Sequence, residues 1–190
     1  FWYIKFGFNS IIMVASIIAF FSLLPLKFVK ERKGKGHKAT LALGIKNLPP
    51  HLKFFIGIAS IFSLANFTYM LFILKAKDYF IEYLSIRYSE GIIILLYILF
   101  NIFYALFAIP FGMLSDRIGR KKVLMIGYSL FSLTAIGFSI ANSYFSFIFL
   151  FIFYGMVYAI IDGNQRAYVS DLAGKELKAT ALGSFHTMVG

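Results

Sequence analysis

The sequence has 190 residues, of which 60% are apolar, 19% aromatic and only 14% charged. Soluble domains carry about a quarter charged residues, so this composition and a mean hydropathy of +0.81 exclude an ordinary soluble protein and favour a membrane protein. The net charge of +11 comes from basic residues grouped between apolar stretches, which indicates cytoplasmic membrane loops and argues against a nucleic-acid partner.

A helix needs about 20 apolar residues to span a membrane, and five stretches of roughly that length follow one another along the chain. They cover residues 6–26, 54–74, 91–114, 123–141 and 145–169, and a sixth begins near Ala179. The predicted fold class is therefore all-α, a polytopic bundle of transmembrane helices. Because the chain opens on Phe1 rather than methionine, and its sixth stretch stops at Gly190 without room to cross, we expect an internal fragment of a longer protein.

The segment between the first two spans is basic, contains glycine and ends in Pro49-Pro50, which disfavours helix. We interpret residues 29–53 as a cytoplasmic linker, residues 1–28 as the last helix of an amino-terminal half-bundle, and residues 54–190 as a truncated carboxyl-terminal half-bundle. This linker and the basic loops after the third and fifth spans fall on one side of the membrane, and the other side carries little net positive charge. The positive-inside rule therefore predicts a multi-pass protein of the cell membrane whose basic loops face the cytoplasm.

The most specific motif lies at the end of the third span, where the eleven residues 112–122 combine two glycines, one carboxylate and four cations. Gly112 and Gly119 are expected to let the backbone turn sharply, and Asp116 to cap a helix amino terminus. The pattern Gly-x-Leu-Ser-Asp-Arg-x-Gly-Arg-Lys-Lys resembles the signature loop of the major facilitator superfamily of transporters. Charge alone favours a purely topological role for these cations, whereas the full pattern favours a gate. The resemblance implies these gating residues: Gly112, Asp116, Arg117, Gly119, Arg120 and Lys121.

The order of spans and loops indicates which helices of a family member the chain contains. A basic central loop after helix six and a signature loop between helices eight and nine imply that the chain covers helices six to ten and the start of helix eleven of a twelve-helix transporter. The resemblance also implies two half-bundles around a central cavity, with alternating access. The expected partners are a small-molecule substrate, the lipid bilayer and the missing amino-terminal half of the same polypeptide.

The fifth span carries charge near its cytoplasmic end, where charge is costly unless it is paired or hydrated. Asp162 and Arg166 are spaced i, i+4, and Tyr154 and Tyr158 extend the same helix face. We expect a gate or coupling role for this pair rather than direct substrate contact, because Asp162 lies beyond the membrane midplane; a structural ion pair is the alternative. A neighbouring face carries small residues that favour close helix packing, namely Gly155, Ala159, Gly163 and Ala167.

The segment 163–172 followed by 178–183 also resembles the junction of helices ten and eleven in some superfamily members. Those relatives usually have Arg-Gly where Lys178-Ala179 stands, so carboxylate pairing by a fork-shaped guanidinium is in doubt there. Asp171, within this junction, joins the gate or coupling candidates. His186, about two turns into the sixth span, is a candidate for proton coupling, with a packing histidine as the alternative.

Polar residues nearer the midplane are candidates for the wall of a cavity. Asn101 shares a helix face with two tyrosines, and Asn66 has a tyrosine three residues on. Interhelical hydrogen bonds would satisfy such amides equally well, so structural glue is the alternative. The cavity candidates are Asn66, Tyr69, Tyr97, Asn101, Tyr104 and Tyr158.

The predicted function is gradient-driven transport of a small solute by a secondary transporter, with protons as the candidate coupling ion. We expect no enzyme activity, no cofactor and no metal, because neither a phosphate-binding glycine loop nor any cysteine is present. One alternative is a membrane enzyme of the CDP-alcohol phosphotransferase type, whose motif resembles Asp162-Gly163-x-x-Arg166-Ala167 with the last two residues reversed and later aspartates missing. A degenerate membrane protein that does not transport is the other.

Overall fold

A computed structural model describes residues 48–66 and 69–190, together with Met13, Ser16 and Ile17. The chain divides into two units, Phe1–Lys38 and Ala39–Gly190, and every element below belongs to the second unit. Apart from Met13, Ser16 and Ile17, the predicted span 6–26 lies outside the described residues, as do residues 29–47 of the predicted linker. The domain boundaries near residues 28 and 53 therefore stay predictions.

The described residues form five helices and no strand. They are α1 (Pro50–Ala65), α2 (Met70–Tyr83), α3 (Ile86–Ile118), α4 (Arg120–Ile140) and α5 (Tyr144–Val189). Four stretches, with α1 and α2 taken together as one, are long and apolar enough to cross a membrane. The predicted fold class, an all-α transmembrane bundle, is confirmed.

The predicted span 54–74 lies within one stretch that is long and apolar enough to cross a membrane, Pro50–Tyr83, but the structure describes that stretch as two helices. α1 ends at Ala65, and the backbone N–H of the next residue, Asn66, donates to the Phe62 carbonyl at 2.9 Å. Tyr69 precedes α2 and accepts from the amides of Phe72 and Ile73. Asn66 also accepts a side-chain hydrogen bond from α5, so its amide is used between helices rather than along one. A hydropathy window misses this break because apolar residues stand on both sides of it.

The signature segment turns at a single residue. Gly119 joins α3 to α4 with a φ of +96°, a conformation that favours glycine. The expectations for Gly112 and Asp116 are wrong: Gly112 lies inside α3 with open space around it, and no side chain caps α4. Hydrogen bonds from the Ser115 hydroxyl to the Gly112 carbonyl and from the Gly119 amide to the Ser115 carbonyl keep this end of α3 helical.

The fifth and sixth predicted spans are joined in α5. Its backbone leaves the helical conformation only at Gly174, where φ is 69° and ψ is 172°. Beyond that glycine, Ala181 and Phe185 pack against Leu52 and Phe55 of α1 in one apolar cluster. This return of the chain onto α1 forms one side of the candidate site.

Close helix contacts hold α3 against α5. A Cβ placed on Gly155 would stand 2.5 Å from the Phe100 carbonyl oxygen, so only glycine fits there without movement. Ala159 is buried one turn later, whereas Gly163 faces open space. The predicted small-residue face therefore packs closely only along its first half.

Candidate functional site

A cavity of about 280 Å³ lies between α1 and α5. Its wall on one side comes from the last turn of α1, where the sequence changes from apolar to polar just before the helix break. The other side is the tyrosine and acid face of α5, together with the end of that helix. The wall consists of Phe62, Ser63, Asn66, Tyr158, Ile161, Asp162, Gln165, Val189 and Gly190.

The charged group of the cavity is the Asp162 carboxylate. Its Oδ2 accepts a hydrogen bond from the Tyr104 hydroxyl at 2.9 Å and another from the Arg166 guanidinium. The ion pair expected from the i, i+4 spacing therefore forms, and Tyr104 of α3 adds a contact that the spacing does not reveal. Both bonds use the same oxygen, and Oδ1 has no hydrogen-bond partner among the described residues. One carboxylate oxygen is therefore available to a ligand or a proton.

Two amides in the cavity wall are held by tyrosines behind them. The buried Tyr154 hydroxyl donates to Asn66 Oδ1 at 3.2 Å, and Gln165 Nε2 donates to the Tyr128 hydroxyl at 2.7 Å. Each bond fixes one end of an amide whose residue lines the cavity. Sequence reasoning did not include Gln165 or Tyr128 among the cavity residues. The available signal was a glutamine three residues after the span aspartate Asp162, about one helical turn away.

The cavity wall does not include four of the predicted cavity residues, namely Tyr69, Tyr97, Asn101 and Tyr104. Tyr69 stacks on Tyr97 with ring centroids 5.6 Å apart, beside the cavity, and the Tyr104 ring meets Tyr158 edge-on at 6.1 Å. Asn101 is exposed and donates to the carbonyl of Tyr97 on its own helix at 2.8 Å, so it is not in the cavity wall.

His186 is also absent from the cavity wall. Its side chain is exposed, and its ring stands edge-on to the neighbouring Phe185 at 5.4 Å. The structure therefore does not bring this histidine to Asp162, the other titratable coupling candidate.

The signature segment forms a second constellation, at the bundle end where α4 begins. Arg120 Nη2 lies 3.0 Å from Asp116 Oδ1, and Arg120 Nε lies 2.6 Å from Asp171 Oδ2. One guanidinium thus joins the end of α3, the start of α4 and the segment of α5 just before Gly174. Arg117 and Lys121 form no ion pair within the described part of the chain. Both aspartates belong to the same unit as the arginine.

The described residues contain no group of three or more His, Cys, Asp or Glu side chains that could hold a metal ion. The phosphotransferase alternative requires such spaced carboxylates. These residues therefore give that alternative no support.

Comparisons with known proteins were made for the whole chain. The family described as the Major Facilitator Superfamily matches residues 54–190. An uncharacterized MFS-type transporter of Methanocaldococcus jannaschii is 51% identical over 189 residues, which cover 99% of this chain and 47% of the relative. The chain thus spans about half the length of this curated relative. No solved structure matches.

Proposed function

The chain belongs to the major facilitator superfamily, and from that membership we propose that it supplies most of the second half-bundle of a secondary transporter. It is a multi-pass membrane protein. The transporter would carry a small solute across the cell membrane by alternating access, driven by a gradient. The basic end of the bundle, which carries Arg117 to Lys122, would face the cytoplasm.

The observation that carries this proposal is the Asp162 carboxylate in the cavity wall, which has hydrogen-bond partners at one of its two oxygens among the described residues. An ionisable group inside a membrane span is costly, and such groups mark ion and solute pathways. Tyr104 and Arg166 both donate hydrogen bonds to one oxygen, Oδ2, and the residue lines the cavity. Protonation of Asp162, or a ligand bound to it, would weaken its hydrogen bond to Arg166. A change in the cavity would in this way alter the contacts at the ends of α3 and α5.

A proton that binds at Asp162 can supply the energy for uphill transport. Movement of one charge across a potential of 100 mV provides about 2.3 kcal/mol, which allows accumulation of a neutral solute by roughly fiftyfold. Asp162 is the coupling candidate that reaches the cavity, and the exposed His186 would act, if at all, only after rearrangement.

The Arg120 cluster would serve as the gate on the basic side. Its two carboxylates come from the helices that line or support the cavity, so release of Arg120 would free α3 and α5 to move apart. Each ion pair is partly exposed and contributes at most about 1 kcal/mol, which suits a contact that must break in every transport cycle.

The proposal is tested by Asp162→Asn in the complete transporter, reconstituted in liposomes that contain a pH-sensitive dye. Sugars, amino acids and organic anions are added in turn, and the solute that changes the internal pH is the coupled substrate. We expect the variant to lose solute-driven proton movement and uphill accumulation, but to keep exchange of labelled solute. Wild-type accumulation in the variant would remove Asp162 from the mechanism, and absence of transport of any solute by the wild type would contradict the proposed function.

A further inference from the structure

A groove separate from the cavity lies between α1 and α4. It encloses about 370 Å³. Phe54 and Ile58 of α1 form one wall, and Leu124 and Met125 of α4 form the other. Phe54 is 74% exposed and Met125 is 60% exposed, so the groove is open along the surface of this unit.

The groove follows the first two turns of α1 and of α4. Its lining residues on α1 run from His51 to Ile58, and those on α4 run from Lys121 to Tyr128. Each stripe covers seven residue steps, or about 10 Å at 1.5 Å per residue. At the inner end Phe62 stacks on Tyr128 with ring centroids 4.1 Å apart, which blocks any extension toward the cavity.

The mouth of the groove is positively charged. His51 and Lys121 stand there, each in the first turn of its helix, and neither helix has an acidic residue in that turn. Lys121 forms no ion pair within residues 48–66 and 69–190, whereas the neighbouring Arg120 is neutralised by two aspartates. An apolar groove with an unpaired cation at its mouth is complementary in charge and polarity to an anionic amphiphile.

We propose that this groove binds one acyl chain of an anionic phospholipid, with the lipid phosphate against Lys121 and His51. A free phosphate would leave the apolar walls unfilled, and a zwitterionic lipid would bring its own cationic headgroup next to Lys121. The site is separate from the proposed solute cavity and does not depend on which solute is carried.

The proposal is tested by native mass spectrometry of the purified complete transporter, titrated with phosphatidylglycerol or phosphatidylcholine. We expect the wild type to retain phosphatidylglycerol preferentially. Lys121→Gln should lower its retention about fivefold, because one lysine near an anionic lipid surface contributes about that factor. The matched control is Lys178→Gln, which removes the same charge from the same end of the bundle but does not line the groove. It should leave retention unchanged.

A second pair of variants tests the groove itself. Ile58→Trp fills it and should abolish the preference, whereas Ile61→Trp, one turn away and 71% exposed outside the groove, should not. Circular dichroism checks that each variant keeps its helical content.

A photo-crosslinking benzoyl-phenylalanine in place of Met125 gives an independent measurement in a protein that keeps both His51 and Lys121. Capture of a lipid by this group supports the proposal. Equal losses in the two lysine variants, unchanged retention in Ile58→Trp, or capture of a peptide of the same polypeptide would each overturn the lipid assignment.

Discussion

Gly155→Ala should damage both the packing of α3 against α5 and the Asp162 site. A Cβ at position 155 would lie 2.5 Å from the Phe100 carbonyl oxygen and 3.1 Å from the Tyr104 amide nitrogen. Ordinary contact begins near 3.4 Å, so the two helices must separate by about 0.9 Å. Overpacking of this kind costs about 1–3 kcal/mol, and the upper part of that range applies because the obstacle is backbone.

The same movement would stretch the hydrogen bond between Tyr104 and Asp162. At 2.9 Å this bond connects the same two helices, and an added 0.9 Å would take it past the 3.5 Å limit for a hydrogen bond. The assay is reversible unfolding in detergent micelles, followed by circular dichroism. Gly163→Ala is the matched control, because it lies on the same helix in open space and should be neutral or stabilising by up to about 1 kcal/mol. Equal unfolding free energies for the two variants would refute the packing argument.

Two further predictions concern the signature segment. Gly119→Ala forces a side chain into a positive φ and should destabilise the protein by about 1–2 kcal/mol in the same unfolding assay, whereas Gly112→Ala, inside α3 in open space, should not destabilise it; the reverse order would contradict the single-residue turn. Arg120→Lys keeps the charge but cannot reach both aspartates with a planar fork. Hydrogen exchange at the α3–α4 junction should rise several-fold in that variant while global stability changes by less than about 1 kcal/mol, and unchanged exchange would exclude Arg120 as the link between these helices.

Composition was sufficient to predict a helical membrane bundle, because the hydrophobic effect acts on whole segments. The end of α1 before Asn66 could not be predicted in this way, since apolar residues stand on both sides of it and the partner of the Asn66 side chain, Tyr154, lies on a helix distant in sequence. The continuation of α5 past Val169 was missed for the opposite reason. Polar residues such as Asp171 suggested a loop, but their side chains face out of the helix or pair with Arg120 while the backbone stays helical up to Gly174.

The site was predictable where its geometry is local. The i, i+4 spacing of Asp162 and Arg166 fixes their separation on one helix, so the pair could be read directly from the sequence. The partners on other helices depend on rotation and depth, which one sequence does not reveal. Tyr104 thus reaches Asp162, while Asn101, less than one turn earlier on α3, bonds to its own backbone.

The central claim is that the cavity beside Asp162 is a water-filled path for solute, and single-cysteine labelling tests it most directly. The chain contains no cysteine, so each introduced thiol is the only one in these 190 residues. Ser63→Cys lines the cavity, whereas Leu64→Cys, about 100° around α1, does not line it and is 77% exposed. Because only a hydrated thiolate reacts, a membrane-impermeant reagent should label position 63 rapidly and position 64 hardly at all in the membrane-embedded protein. Equal labelling of the two positions, or protection of position 63, would contradict the account.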